Sequence, residues 1–305
     1  MAYIIVTGKD FMDIDMCAGT QALYELFTLQ GKEVYVHGSQ TYSASVTKDL
    51  QERTFSYPTK EIESGDQLFA VDVSSIQYLG EQCQYPLDQF AGIYDHHFES
   101  TDYWRDKLGE RAVIQEVGAA STLVAELIQE EGMWAEISFD TKVLLAAAII
   151  SNSQNFKFAM TSRRDHVIYD LISNEVNLES NFAETYFLSI QDTIVENIQD
   201  SLKNDTKERV ALTDKTFTIA QLEMWDTEAF LKESKKEVQE FLNNSEAQIR
   251  FFLSASLSED RTYFIVVDEK SESFLTNLLG ISFADGQAVM NKIMIRKEVI
   301  KEILS

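Results

Sequence analysis

Phe90-Ala91-Gly92-Ile93-Tyr94-Asp95-His96-His97 is the stretch of the chain that most strongly indicates the fold. Its apolar part is typical of a buried strand, and its polar end is typical of the loop into which such a strand opens. Adjacent side chains on an extended backbone point to opposite sides, so one imidazole can face a metal ion while the other faces a substrate. An Asp-His-His string also arises by chance on loops, so the interpretation depends on the other strand ends.

Similar strand signals recur through the first half of the chain and alternate with helical periodicity. The run that begins at Leu68 is continuously apolar, as expected for a strand buried on both faces of a sheet. The predicted strands are residues 3–7, 33–37, 68–73, 89–94 and 112–116, and the predicted helices are residues 15–30, 120–132 and 138–151. This alternation predicts an α/β domain in which a parallel sheet carries helices on both faces.

Acidic side chains lie at or beyond the ends of three of these strands. Asp13 and Asp15 come after the first strand, Asp72 comes where the third emerges after Val71, and Asp95 comes after the fourth. Because ligands of such sheets bind beyond the carboxyl ends of the strands, we expect these acids to meet His96 there. Hard divalent cations prefer carboxylate oxygens. Taken singly, each acid also fits a structural role, Asp13 and Asp15 as loop acids or a helix cap and Asp72 as the cap of a following helix.

The second half of the chain predicts a smaller α/β domain. The sequence becomes polar and acidic between residues 175 and 207, and we place the domain break near residues 188–194. The two predicted domains are therefore residues 1–188 and residues 194–305. The predicted strands are residues 208–212, 217–223 and 262–267, and the predicted helices are residues 228–244 and 286–293, with a further turn or two at the end of the chain.

Composition narrows the class of protein. The chain has 305 residues and a formal net charge of −24, which repels nucleic acid and anionic membranes at long range. Its two cysteines cannot form a disulfide framework. The longest apolar run, residues 143–150, is far shorter than the roughly 18 residues needed to span a bilayer. We therefore expect a cytoplasmic protein that binds neither nucleic acid nor a membrane.

Taken in order along the chain, the motifs resemble the DHH phosphoesterase superfamily, and within it the branch of family II inorganic pyrophosphatases and exopolyphosphatases. The resemblance covers nearly the whole chain. The segments that carry it are Gly8-Lys9-Asp10-Phe11-Met12-Asp13-Ile14-Asp15, Val71-Asp72, Tyr94-Asp95-His96-His97, Gly118-Ala119-Ala120-Ser121-Thr122, the run from Ala148 to Lys157, Asp205-Thr206-Lys207-Glu208, Phe217-Thr218-Ile219-Ala220-Gln221 and Ile295-Arg296-Lys297.

The resemblance implies a hydrolase of a phosphoanhydride or phosphoester, with two divalent ions, usually manganese or magnesium, in a cleft between the two domains. The implied metal ligands are Asp13, Asp15, Asp72 and His96, with Asp72 bridging the two ions. A water activated by the divalent metal would attack phosphorus in line. His97 would face the substrate phosphate, so His97 and Asp72 are the candidate catalytic residues.

The second domain is implied to bind the substrate. In the resemblance, Lys207, Arg296 and Lys297 hold the phosphoryl oxygens, and closure of this domain excludes water from the reaction. Small phosphorylated compounds such as pyrophosphate or polyphosphate are the implied substrates. A homodimer through the first domain is common among such enzymes and is left open here.

Two of the departures from the pattern of the pyrophosphatases concern the metal site. Lys9 stands where they carry a metal-binding histidine, and Asn152 stands where they carry a fourth metal-binding aspartate. A protonated lysine cannot coordinate a metal, whereas Asn152 is still a neutral oxygen donor. We therefore group Lys9 with the substrate-binding residues and keep Asn152 as a metal-ligand candidate.

These departures leave two hypotheses. Three aspartates and a protonated Lys9 sum to a charge of about −2, which one divalent ion balances. The first hypothesis is therefore an enzyme with one firmly bound Mn²⁺ or Mg²⁺ and a second, weaker site. The alternative is a degenerate homologue that binds a phosphorylated ligand without turning it over.

Overall fold

A computed structural model describes residues 1–305 and divides into two compact units, Met1–Ala183 and Glu184–Ser305. The boundary between the units lies near the start of a helix, Phe182–Glu196. The break expected near residues 188–194 falls inside that helix. The assignment of residues 1–188 and 194–305 to a metal-binding and a substrate-binding domain stays a prediction.

The first unit alternates strands and helices as expected. Its strands are β1 (Tyr3–Val6), β2 (Val34–His37), β3 (Gln67–Val71), β4 (Phe90–Asp95) and β5 (Ala112–Ile114). Its helices are α1 (Ile14–Leu29), α2 (Lys48–Gln51), α3 (Thr101–Leu108), α4 (Ala120–Glu130), α5 (Phe139–Asn152) and α6 (Arg163–Val176).

The five strands of the first unit form one parallel sheet in the order β2-β1-β3-β4-β5. All six residues of β4 are buried, which is the consequence of a central strand covered on both faces. Strand β2 lies on one side of β1, and β3, β4 and β5 follow on the other side, so the topological switch point is between β1 and β3. Parallel sheets open a crevice at such a point, at the carboxyl ends of their strands. The predicted fold class is confirmed for this unit.

Helix α1 connects the first strand end to the core. It begins at Asp13, whose side chain accepts a hydrogen bond from the Met16 amide, and it ends before Gly31, which has φ +74°. Gly19 faces the sheet so closely that a Cβ there would lie 2.3 Å from Val71 Cγ1. The absence of a side chain at Gly19 therefore allows α1 to pack directly on the end of β3, one residue before Asp72.

The second unit is built on a separate five-stranded sheet. Its strands are β6 (Thr206–Leu212), β7 (Lys215–Met224), β8 (Ile249–Ser256), β9 (Arg261–Val266) and β10 (Gln287–Met290). Its helices are α7 (Phe182–Glu196, which begins two residues before the boundary), α8 (Ile198–Asn204), α9 (Thr227–Asn243), α10 (Glu269–Leu279) and α11 (Arg296–Leu304). The strand order is β10-β9-β8-β7-β6, and only the β7–β8 pair is parallel. The smaller α/β unit is thus confirmed.

The predicted helix at residues 286–293 is wrong, because this segment is the edge strand β10 paired antiparallel with β9. Asp285 and Gly286 both have positive φ, at 50° and 71°, and form the turn before the strand. An Asp-Gly pair is a common hairpin signal, and it outweighs the weak helical spacing that follows it. Strand β8 and helices α2, α3, α6 and α10 were not predicted.

None of the helices combines the length and the apolar character needed to cross a membrane.

Candidate metal centre

The candidate centre lies at the carboxyl ends of the neighbouring strands β3 and β4. Asp72 directly follows β3 and has φ +60°, a conformation that aspartate tolerates better than most residues. Its amide donates a hydrogen bond to the Tyr94 carbonyl at 2.9 Å. This bond holds Asp72 against the end of β4, beside Asp95 and the two histidines.

Asp95 orients the loop that carries the histidines. Its Oδ1 accepts hydrogen bonds from the His96 amide at 2.7 Å, the His97 amide at 3.1 Å and His97 Nδ1 at 2.9 Å. Burial raises the pKa of this carboxyl, but the hydrogen bond and positive charge of His97 outweigh burial, and the net pKa is lowered. Asp95 therefore acts as an ionised anchor, a role that its place in the motif did not reveal.

His96 is held with one nitrogen free. Its Nδ1 lies 3.1 Å from the Val117 carbonyl oxygen, and because a carbonyl can only accept, Nδ1 carries the proton. In the neutral ring the lone pair is then on Nε2, which lies 3.2 Å from Asp72 Oδ1 and 4.0 Å from Asp15 Oδ2. A histidine that donates one N–H to a backbone carbonyl and presents its other nitrogen is arranged as metal-binding histidines are.

The pair formed by Asp72 Oδ1 and His96 Nε2 provides a test of whether a metal fits. Both atoms are buried, and neither has a hydrogen-bond partner. Two acceptors 3.2 Å apart need a cation or a proton near them, and this spacing suits neighbouring ligands of one ion with bonds of about 2.1 Å. One ligand-type atom from each of Asp72, Asp95, His96 and His97 lies within 4.8 Å of the others. The donor set therefore fits a divalent metal.

Asp13 and Asp15 add negative charge beside this pair. Asp15 is fully buried and accepts hydrogen bonds from the Ala120 amide at 2.7 Å and the Ser121 amide at 2.8 Å. Burial and the charge of Asp13 raise the pKa of Asp15 to about 6, although the interaction with His96 opposes the shift. The helix-capping role considered for Asp13 is confirmed by its bond to the Met16 amide.

Asp72 experiences the charges of both acids. Its pKa is raised well above the ordinary value, first by burial and then by the negative charges of Asp13 and Asp15, while His97 opposes the shift. Such mutual repulsion among buried carboxylates favours a bound cation. The structure thus brings Asp13, Asp15, Asp72 and His96 into one electrostatic group, and their individual roles as ligands stay predictions.

His97 is the more open of the two imidazoles, with 39% of its side chain exposed. Burial lowers its pKa, but the hydrogen bond to Asp95 and the charge of Asp72 outweigh burial, and the net pKa is raised. Because Nδ1 bonds to Asp95, Nε2 is the ring nitrogen left for another group. This arrangement is compatible with the predicted role of His97 towards a phosphate.

The two residues that depart from the family pattern have local contacts. The side chain of Lys9 is exposed, and its amide donates to the Tyr78 hydroxyl at 2.9 Å. Asn152 is the last residue of α5, and its side-chain amide donates to the Ala148 carbonyl at 3.4 Å. Asn152 thus has the helix-end contact that is one explanation of an asparagine at this position, and its role as a ligand stays a prediction.

Two of the basic residues of the second unit, Arg296 and Lys297, begin helix α11. The Arg296 guanidinium donates to the Asp205 carbonyl at 2.7 Å and to Asp205 Oδ1 at 2.6 Å. The Arg296 amide donates to Gln221 Oε1 at 2.6 Å, so three bonds hold this residue. Lys207 lies on β6 and Lys297 on α11, and both are exposed. Asp205 and Gln221 were quoted in the motifs, but no contact with Arg296 was predicted for them.

Comparison with known proteins places the fold. No family sequence model matches the chain, and no curated protein sequence matches it. One similar solved structure is that of a Methanococcus jannaschii protein, which is assigned rather than established as a family II inorganic pyrophosphatase. The alignment covers 100% of this chain and 98% of that chain, with a TM-score of 0.65 and 18% sequence identity. The predicted resemblance is confirmed at the level of the fold.

Two further structures are more distant. An exopolyphosphatase-related protein from Bacteroides fragilis covers 99% of this chain and 90% of its own, with a TM-score of 0.47 and 13% identity. The exonuclease RecJ bound to manganese covers 99% and 89%, with a TM-score of 0.30 and 12% identity. At these scores the two likenesses carry no argument about function.

Proposed function

We propose that the protein is a metal-dependent hydrolase of a phosphoanhydride or phosphoester. The observation that carries the proposal is the buried pair of Asp72 Oδ1 and His96 Nε2, 3.2 Å apart and without hydrogen-bond partners. A sheet that ends in such a pair stores unfavourable electrostatic energy that a bound cation would relieve. The fold shared with the Methanococcus jannaschii structure supports the same class of chemistry.

In this proposal the first unit holds Mn²⁺ or Mg²⁺ through Asp72 and His96, with Asp13 and Asp15 as further ligands. A bound divalent ion would supply charge neutralisation and a more acidic water at the site. The protein would hold the Nε2 lone pair of His96 towards the ion through the bond from Nδ1 to Val117. The exposed position of Lys9 supports a role towards substrate in preference to one towards metal.

We further propose that His97 and the basic residues of the second unit bind the phosphoryl groups of the substrate. Asp95 fixes the His97 ring, so Nε2 can donate a hydrogen bond to a phosphoryl oxygen. Lys207, Arg296 and Lys297 supply positive charge, which a chain of net charge −24 must concentrate locally to bind an anion. Pyrophosphate and polyphosphate are the proposed substrates. A cytoplasmic location, a homodimer and a second weak metal site stay predictions.

A phosphate-release assay tests the proposal. The purified protein is stripped of metal and assayed on pyrophosphate, polyphosphate and nucleotides, with Mn²⁺ or Mg²⁺ restored. We expect release from one substrate class that requires the metal and falls by at least 100-fold in Asp72→Asn. Asp106→Asn is the matched control, because Asp106 is an exposed acid on α3 and the substitution removes the same charge.

The second candidate is a protein that binds a phosphorylated ligand without turnover. Lys9 and Asn152 favour it, because each stands where the pyrophosphatase pattern has a metal ligand, and the Asn152 side-chain amide donates to the Ala148 carbonyl. Metal-dependent binding of pyrophosphate with no phosphate release from any substrate would establish this candidate. If the protein bound neither metal nor phosphate compounds, both candidates would be rejected.

A further inference from the structure

Asp165 is a buried carboxylate that the proposed function does not use. It lies in the first turn of α6 and has no exposed surface. Its Oδ2 accepts hydrogen bonds from the Ser162 amide at 2.7 Å, the Ser162 hydroxyl at 2.8 Å and the Gly118 amide at 2.8 Å. Its Oδ1 accepts one from the Thr122 hydroxyl at 2.6 Å. Four donors therefore converge on one carboxylate.

Two of these bonds are local to the start of the helix. The bond from the Ser162 amide is part of the capping box of α6, and the bond from the Ser162 hydroxyl lies in the same turn. The bonds from Gly118 and Thr122 come from residues 47 and 43 positions earlier in the chain. Asp165 therefore fixes the segment of residues 117–122, which connects β5 to α4. We call residues 117–122 the β5–α4 segment.

The β5–α4 segment is the direct support of two candidate metal ligands. Its Val117 carbonyl accepts a hydrogen bond from His96 Nδ1, which leaves Nε2 free. Its Ala120 and Ser121 amides donate to the two oxygens of Asp15. Each of these contacts joins the backbone of the segment to a ligand side chain, so a shift of the segment would displace both ligands together.

Close packing leaves the β5–α4 segment little freedom. A Cβ at Gly118 would lie 3.2 Å from Asp165 Oδ2 and 3.2 Å from Ser153 Cβ. Ser153 directly follows Asn152, the remaining metal-ligand candidate. The segment is thus confined between α6 and the end of α5, and glycine is the residue that permits this approach.

We propose that Asp165 is a positioning residue for the metal centre, acting through the β5–α4 segment on His96 and Asp15. The proposal rests on the proposed function, since it assumes that these two side chains bind metal. Residues that orient metal ligands through hydrogen bonds typically contribute about 10- to 100-fold to metal affinity. Asp165 would do so from a position two hydrogen bonds away from each ligand.

The test is the affinity of the full-length protein for Mn²⁺, measured by electron paramagnetic resonance of free Mn²⁺ at a temperature where circular dichroism shows every variant folded. We expect Asp165→Asn to weaken binding by about 10- to 100-fold. Thr122→Val removes only the hydroxyl bond to Asp165, and we expect a loss of about tenfold. Thr122→Ser keeps the hydroxyl and should retain the affinity of the unmodified protein.

Arg164→Gln is the control for a purely structural effect. Arg164 forms an ion pair with Glu126 that joins α6 to α4, and its side-chain hydrogen bonds go to Glu126 and Gln115, which lie outside the β5–α4 segment. We expect it to lower the melting temperature without changing Mn²⁺ affinity. If Asp165→Asn and Thr122→Val bound Mn²⁺ as tightly as the unmodified protein, the positioning role alone would be overturned. It would also be overturned if Arg164→Gln lost as much Mn²⁺ affinity as Asp165→Asn. Absence of Mn²⁺ binding by the unmodified protein would overturn the proposed function as well.

Discussion

Replacing Asp72 by asparagine should stabilise the metal-free protein while removing its response to metal. When the Asp72 carboxyl is ionised, Asp72 Oδ1 and His96 Nε2 are both acceptors, 3.2 Å apart and without partners. An asparagine amide in the place of Oδ1 can donate to His96 Nε2, which converts two unsatisfied atoms into a donor–acceptor pair. The φ of +60° adds no new strain, because asparagine tolerates this conformation as well as aspartate does.

The magnitude follows from the cost of a buried polar atom without a partner, which is about 1–3 kcal/mol. Removal of the repulsion from Asp13 and Asp15 acts in the same direction. The first unit, Met1–Ala183, should therefore gain about 1–3 kcal/mol in free energy of unfolding. For a unit of this size, each kcal/mol raises the melting temperature by about 2–4 °C.

The assay is thermal unfolding in EDTA and in excess Mn²⁺, with Asp106→Asn as the control for loss of a surface charge. In EDTA, Asp72→Asn should melt above the unmodified protein. At a free Mn²⁺ concentration 100 times the dissociation constant, the unmodified protein should gain about 2.7 kcal/mol, which reverses or abolishes the difference. If Asp72→Asn were no more stable than the unmodified protein in EDTA, the two unpartnered atoms would not destabilise the metal-free protein, and the reasoning would be refuted.

Three further predictions concern pH, packing and anion binding. Because the pKa of Asp72 is raised, the folded protein keeps a proton that the unfolded chain releases, so in EDTA the free energy of unfolding should fall as pH rises above about 4. The free energy of unfolding of Asp72→Asn should fall less over the same pH range. An equal pH dependence of the two proteins would count against the raised pKa. Gly19→Ala should lower the free energy of unfolding in urea by about 1–3 kcal/mol, although alanine favours helices, because the added Cβ would collide with Val71. Adding Val71→Ala to this variant should recover part of the loss. A Gly19→Ala protein more stable than the unmodified protein would contradict the close helix–strand contact. A lysine at position 296 cannot reproduce both bonds of Arg296 to Asp205, so we expect Arg296→Lys to bind pyrophosphate about tenfold more weakly in calorimetry. Unchanged binding would show that Arg296 is not part of the anion site.

The fold of the first unit could be predicted because its signals are local. Apolar runs mark strands that are buried on both faces, and the residues between them have helical spacing. The predicted strand at residues 89–94 and the observed Phe90–Asp95 differ by one residue at each end. The second unit was predicted less well, because its strand Ile249–Ser256 carries serine and arginine within an apolar run, and its edge strand Gln287–Met290 is too short to show a period.

The candidate site, like the fold, was predicted from the sequence only in part. The residue types and their places after strands pointed to Asp72 and His96, because the parallel strands β3 and β4 are neighbours and their carboxyl ends meet at one edge of the sheet. The motifs did not reveal that Asp95 orients His97, or that Arg296 is held by Asp205. Those roles depend on which atom of a side chain meets which donor, and no periodicity in the sequence records that.

The sequence by itself determined the five strands of the first unit and the chemical character of their ends, because burial and backbone preference act on neighbouring residues. Only the tertiary structure decided which nitrogen of His96 keeps its lone pair, through the Val117 carbonyl 21 residues away. It also decided that Asp165 supports the segment on which His96 and Asp15 depend. Hydrogen bonds of this kind form between residues that are distant in sequence, so their partners are set by the packing of whole elements and not by the local order of residues.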